Sequence, residues 1–109
     1  MIAPTIQQIQ RRTAEAFGVT LAQLTGKRCT PTVALARQVA MHLCRLVTLA
    51  SSTEVGLAFG RDHSTVLHAE DRIADLRAGA AWPYRAILEG LELELRGGKR
   101  WVPGMRVAA

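Results

Sequence analysis

Between Val33 and Ala50 the chain reads VALARQVAMHLCRLVTLA, and Val33, Ala36, Val39, Leu43, Leu46, Val47 and Ala50 recur along it at helical spacing. That spacing winds one apolar stripe down a helix, whereas a strand would scatter the same residues over both of its faces. A helix of this length needs partners to cover its stripe. They must pack with aliphatic groups, because Phe, Trp and Tyr supply only 5% of the 109 residues while hydrophobic residues supply 49%. Leu, Val, Ile and Ala suit small helices better than a sandwich of sheets. The expectation is an all-α fold, a small bundle of about five to six helices.

Punctuation residues divide the rest of the chain. Ile6, Ile9, Thr13, Ala16 and Phe17 predict a first helix over residues 5–17, closed by Gly18. Thr20, with Gln23 three residues on, has the spacing of a capping box for a short second helix that Gly26 ends. Residues 27–32, KRCTPT, read as a loop, and Thr32 as the N-cap of the long helix. Arg37, Gln38, His42 and Arg45 fall on the surface of that helix, away from its stripe.

Ser51 and Glu54 repeat the capping-box spacing before a brief helix that stops at Gly60. Asp62 is a good N-cap for the next helix, in which Val66, Ala69, Ile73 and Leu76 point inward before Gly79. WPYRAILEGLELELR predicts a last helix with Pro83 in its first turn and Ile87, Leu88, Leu91 and Leu95 inward. The organisation expected is a helical domain over residues 1–79, an amphipathic helix over 80–96 and a basic flexible tail over 97–109.

Charge narrows the partners. The net charge is +5, and no acidic residue falls between Glu15 and Glu54, where Lys27, Arg28, Arg37 and Arg45 all lie. Such a one-sign patch favours a polyanion. No run of about 18 apolar residues exists to span a membrane, and MIAPTIQQIQRR lacks the layout of a secretion signal. Cys29 and Cys44 make no C-x-x-C pair, so a reduced, cytoplasmic chain is expected. His42 and Cys44 diverge in direction on a helix, and His63 and His68 are five residues apart rather than four. No metal, cofactor or enzymatic activity is expected from them.

The segment FGRDHSTVLHA, Phe59 to Ala69, holds the densest chemistry. Two short helices joined by a tight glycine turn, the second opening on polar residues, make a helix-turn-helix pattern. In that motif the second helix points its N-terminal end into the DNA major groove. The first turn of a helix exposes unpaired N–H groups and partial positive charge, which suits phosphate. Asp62, His63, Ser64 and Thr65 are of types that read base edges, and Arg61 could pair with phosphate or guanine. Asp62 serves as cap, as cytosine acceptor, or as both. His68, two turns in, is either a half-buried histidine or a phosphate contact.

GLAFGRDHSTVLHAEDRI, with ARQVAMHLCRLVT upstream, resembles the C-terminal DNA-binding domain of the bacterial replication initiator DnaA, over roughly residues 5–78. The resemblance implies an all-helical domain that binds double-stranded DNA at a DnaA box, a site close to TTATCCACA. It implies that Asp62, His63 and Ser64 read major-groove bases, with Thr65 and His68 close to bases or backbone. Arg37, Gln38, Arg45 and Arg61 would then hold phosphates or flank the groove. The loop GKRCTPT, with Lys27 and Arg28, would stand where the family sends an arginine into the minor groove.

Three departures bear on which site is preferred. Gly60 stands alone where the family usually has two glycines, Cys29 aligns with the minor-groove arginine and leaves Arg28 as a displaced substitute, and Ser64 replaces a common threonine. No G-x-x-x-x-G-K-[ST] loop occurs, so no nucleotide and no ATPase activity are expected. The expected role is nucleoid-associated DNA binding in replication initiation or its regulation, by a free-standing small protein or a fragment. The alternatives are a small transcription regulator and an interaction module that has lost DNA. Residues 83–96 would complete the core or mediate self-association.

Overall fold

The computed structural model describes residues 3–27, 29–79 and 81–105. Six helices follow one another: α1 (Ile6–Phe17), α2 (Leu21–Thr25), α3 (Pro31–Val47), α4 (Ser52–Phe59), α5 (His63–Ala78) and α6 (Arg85–Leu95). Each of the first five opens on a hydroxyl or carboxylate cap. Thr5, Thr20 and Ser51 form reciprocal boxes with Gln8, Gln23 and Glu54, so both otherwise unpaired N–H groups of each box find a side-chain acceptor.

The long helix starts two residues before the expected cap. Thr30, not Thr32, accepts the Val33 N–H at 3.2 Å, and Pro31 takes the first helical position, where its missing N–H sacrifices no bond. Pro83 likewise lies ahead of its helix, in a turn where the Arg85 N–H reaches the Trp82 carbonyl at 3.3 Å.

Helix α3 is the spine. Helices α1 and α5 pack against it most extensively, and α2, α4 and α6 touch it as well. Covered on several sides, it buries more than one stripe: Ala40, Met41 and Cys44 join Val33, Ala36, Val39 and Leu43 in the core. Leu46, expected inside, is 37% exposed because the helix is ending there. The other elements contribute Ile9, Leu24, Val55, Phe59, Val66, Ile73, Leu88 and Leu91, all fully buried. His42, expected on the surface, is half-buried instead, and its Nε2 finds no hydrogen-bond partner among the described residues. Burial first, and then Arg77, hold its imidazole below the usual histidine range.

In the segment after α6, Trp101 packs against the helical body, while its neighbours 97–100 and 102–105 are exposed. Trp101 is 5% exposed and lies against Gly90 so closely that a Cβ there would overlap the indole. The Trp101 backbone N–H donates to Glu94 at 2.7 Å, and its backbone carbonyl accepts from Arg12 at 2.8 Å. Arg12 also grips both carboxylate oxygens of Glu94, and Arg100 reaches Glu15 at 2.8 Å. An aromatic anchor and a carboxylate–guanidinium knot thus bind this segment to α1 and α6. Beside the knot, Pro4, Gln8, Arg11 and Gly97 line one shallow hollow. Residues 106–109 of the expected tail lie outside the described residues.

Candidate nucleic-acid interface

Helix α4 hands over to α5 through a single left-handed residue. Gly60 sits at φ 64°, its N–H bonds the Leu57 carbonyl at 3.2 Å, and the Arg61 N–H bonds Gly56 at 2.8 Å. This paired closure of a helix C-terminus needs one residue at positive φ, and glycine adopts it without a steric cost. Gly56 is needed as well, because a Cβ there would stand 2.6 Å from the Arg61 carbonyl oxygen. The turn therefore needs glycine at both places, Gly60 for its left-handed backbone and Gly56 for room.

Asp62 then caps α5. One carboxylate oxygen accepts the Ser64 N–H at 3.2 Å, and the other accepts the Ser64 hydroxyl at 2.9 Å. The Ser64 N–H, followed by its hydroxyl, holds the Asp62 carboxyl below its usual range. The His63 Nδ1 stands 3.1 Å from the same carboxylate. Capping does not withdraw these groups from solvent, since the Asp62 and His63 side chains are 66% and 61% exposed. Thr65 and His68 are exposed and Ser64 is half-buried.

Next to this tip a groove of about 630 Å3 runs between α3 and α5. It gathers Arg37, Gln38, Arg61, Thr65 and His68, five of the residues selected from sequence, with Cys29 at one end. It also holds Arg72 and Asp75, which the sequence reading missed. Arg72 lies four residues after His68, hence on the same helix face, and that spacing was the available signal. Lys27 is exposed beside Ala22, Gln23 and Gly26, outside the groove. Arg28 lies outside the described residues.

Three arginines expected to face phosphate carry internal bonds. Arg37 is not on the surface at all, being 6% exposed. Its Nε donates to the Leu24 carbonyl at 2.8 Å, and its Nη2 donates to Gln23 and Gly26, both at 3.0 Å. The last carbonyls of α2 have no partner in their own helix, and a guanidinium fork satisfies several at once. Arg61 donates to Gly26 at 2.8 Å, to Phe59 at 3.2 Å and to Gly60 at 3.3 Å. Arg45 meets Glu70 of α5 at 3.2 Å and the Ala50 carbonyl at 2.9 Å. The acid-free run in the sequence is therefore not an acid-free surface around Arg45, because folding brings Glu70 to it from 25 residues away.

Other chemistry is sparse. Among the described residues no three His, Cys, Asp or Glu side chains come together as a metal site, and no helix is long and apolar enough to cross a membrane. Cys44 is buried, which pushes its thiol up to about 12, while Cys29 is exposed.

Comparison with known proteins identifies a family. A family described as the bacterial DnaA protein helix-turn-helix matches residues 6–73. The chromosomal replication initiator protein DnaA of Bordetella pertussis is 42% identical over 94 residues, covering 85% of this chain and 20% of that protein. The protein of the same name from Oenococcus oeni is 44% identical over 73 residues, covering 66% of this chain and 16% of the relative. The chain thus spans about a fifth of the length of the curated relatives it matches.

Proposed function

Because the chain belongs to the bacterial DnaA helix-turn-helix family, we propose that it binds double-stranded DNA by setting the first turn of α5 into the major groove. Its role is in replication initiation or its regulation, in keeping with relatives named as chromosomal replication initiators. The site preferred is a DnaA box or a close variant of it. The chain contributes DNA contact and no ATP hydrolysis of its own.

The observation that carries this reading is the open tip of α5. Asp62, His63 and Thr65 are exposed there, next to a groove that holds Gln38, Arg61, His68 and Arg72. An α-helix fits the major groove, and side chains of its first turn reach base edges. His63 and Thr65 are the base readers, Asp62 takes a cytosine amino group while it caps, and Ser64 supports Asp62 through its hydroxyl. Gln38, Arg61, His68 and Arg72 line the path of the backbone.

Titration of fluorescent duplexes tests it. A duplex containing TTATCCACA is expected to bind about tenfold or more tightly than a shuffled duplex, and both weaken as salt rises. If neither duplex binds at low salt, the DNA reading fails. Equal affinity for both would keep DNA binding and remove the sequence preference.

A further inference from the structure

Two guanidinium groups, one from a helix and one from a turn, meet at one carbonyl. The Gly26 oxygen, just past the end of α2, accepts from Arg37 Nη2 at 3.0 Å and from Arg61 Nη2 at 2.8 Å. Arg37 reaches it from within α3, and Arg61 from the turn that opens α5. A carbonyl has two lone pairs, so it can take both donors. Arg37 also holds Gln23 and Leu24 at the end of α2, and its Nη1 stands 3.6 Å from Cys29 Sγ, beyond the glycine. One buried side chain therefore grips the short helix and the loop after it, and shares a carbonyl with the residue preceding the Asp62 cap.

Resting on the DNA-binding reading, we propose that Arg37 is a positioning residue and not a phosphate contact. It ties the α2–α3 loop to the start of α5, so that the loop and the reading turn approach DNA at a fixed separation. At 6% exposure, and bonded to three carbonyls, this guanidinium would have to abandon those acceptors to reach a phosphate. The exposed groups flanking Gly26, Lys27 and Cys29, are the ones it presents. Lysine keeps the charge but cannot reproduce the planar fork, so the two roles separate under Arg37→Lys.

The experiment compares the wild-type chain with Arg37→Lys, Arg37→Met and Arg61→Lys. Binding to the TTATCCACA duplex and to a shuffled duplex is followed between about 50 and 200 mM salt. Trypsin cleavage after the exposed Lys27, followed by mass spectrometry, reports the loop without DNA. With helicity confirmed by circular dichroism, Arg37→Lys is expected to lose about tenfold on the TTATCCACA duplex and less on the shuffled one. The salt slopes of Arg37→Lys and Arg37→Met stay at the wild-type value, and cleavage after Lys27 speeds up at least about fivefold. A slope shallower by about 0.9 in Arg37→Met, with Arg37→Lys behaving as wild type, makes Arg37 a phosphate contact and overturns the proposal.

If the wild-type chain binds neither duplex, the DNA reading fails on its own. The tie is then judged by trypsin, and an unchanged cleavage rate in Arg37→Lys overturns it. Should Arg37→Lys not fold, Arg61→Lys loosens the same carbonyl from the other side. Faster cleavage after Lys27 supports the tie there, and the wild-type rate overturns it.

Discussion

Arg45 of α3 and Glu70 of α5 face each other across the seam between the two longest helices, Nε to Oε1 at 3.2 Å. About a third of each side chain remains exposed, at 32% and 27%. The pair is thus wet enough to exchange partners, and a phosphate arriving at Arg45 competes with a carboxylate already in place. Glu70→Gln is expected to tighten binding to any duplex several-fold at low salt and to steepen the salt slope by about 0.9. Arg45→Ala shifts the slope by a similar amount in the opposite sense. Titrations at several salt concentrations check both, and unchanged slopes would put Arg45 away from the DNA backbone.

His63 stands on the tip of α5 with most of its ring in solvent. His63→Ala is expected to cost ~1–3 kcal/mol on the preferred duplex and little on a shuffled one. Equal losses on both duplexes would contradict base reading by this side chain.

Trp101 holds the C-terminal segment to α6 and is nearly fully buried. Trp101→Ala is expected to lower unfolding stability by about 3 kcal/mol, as large-to-small changes in a packed interior do. Its neighbours Gly90, Glu94 and Arg12 lie outside the α3–α5 groove. DNA affinity should therefore stay within about twofold of wild type wherever the variant is folded. Urea denaturation and duplex titration measure the two effects separately.

His42 makes stability depend on pH in a definite direction. Burial, then Arg77, lower its pKa in the folded chain, with Glu70 and Glu92 opposing weakly. On acidification the unfolded chain therefore takes up the proton first. The stabilisation is present above the unfolded value, about 6.5, and is lost as pH falls below it. His42→Gln is expected to flatten the dependence between about pH 7 and pH 5, a range above the ordinary carboxylate values. Urea midpoints across that range measure it, and an unaltered profile in the variant would assign the effect elsewhere.

What the sequence disclosed well was mostly set by near neighbours along the chain, although Thr30 and not the expected Thr32 caps α3. Thr20 with Gln23, Ser51 with Glu54, Asp62 and Gly60 all act where their spacing put them. Helical periodicity correctly placed Val39, Leu43, Val66, Ile73, Leu88 and Leu91 inside. The helix-turn-helix and the exposed tip of α5 were legible for the same reason. The other main misreadings concern partners distant in sequence. Arg37 looked like a surface cation because the carbonyls it satisfies belong to another helix. Arg45 looked unopposed because Glu70 is 25 residues away. The docking of Trp101 was not legible because its receptor is the absence of a side chain, at Gly90, which no composition rule detects.

The hollow shared by Pro4 and Gly97 has a practical corollary. The two extremities of the helical body come together there, whereas α5 has its reading end roughly 20 Å along its axis from Arg77, which meets α6 through Glu92. A peptide bridge running from beyond the docked Trp101 back to Pro4 would allow the polypeptide to be reopened at the exposed Leu49 between α3 and α4. Such a circular permutant would preserve the covalent unit from α4 through α5, and a fluorophore on the bridge would report on duplex binding without standing in its way.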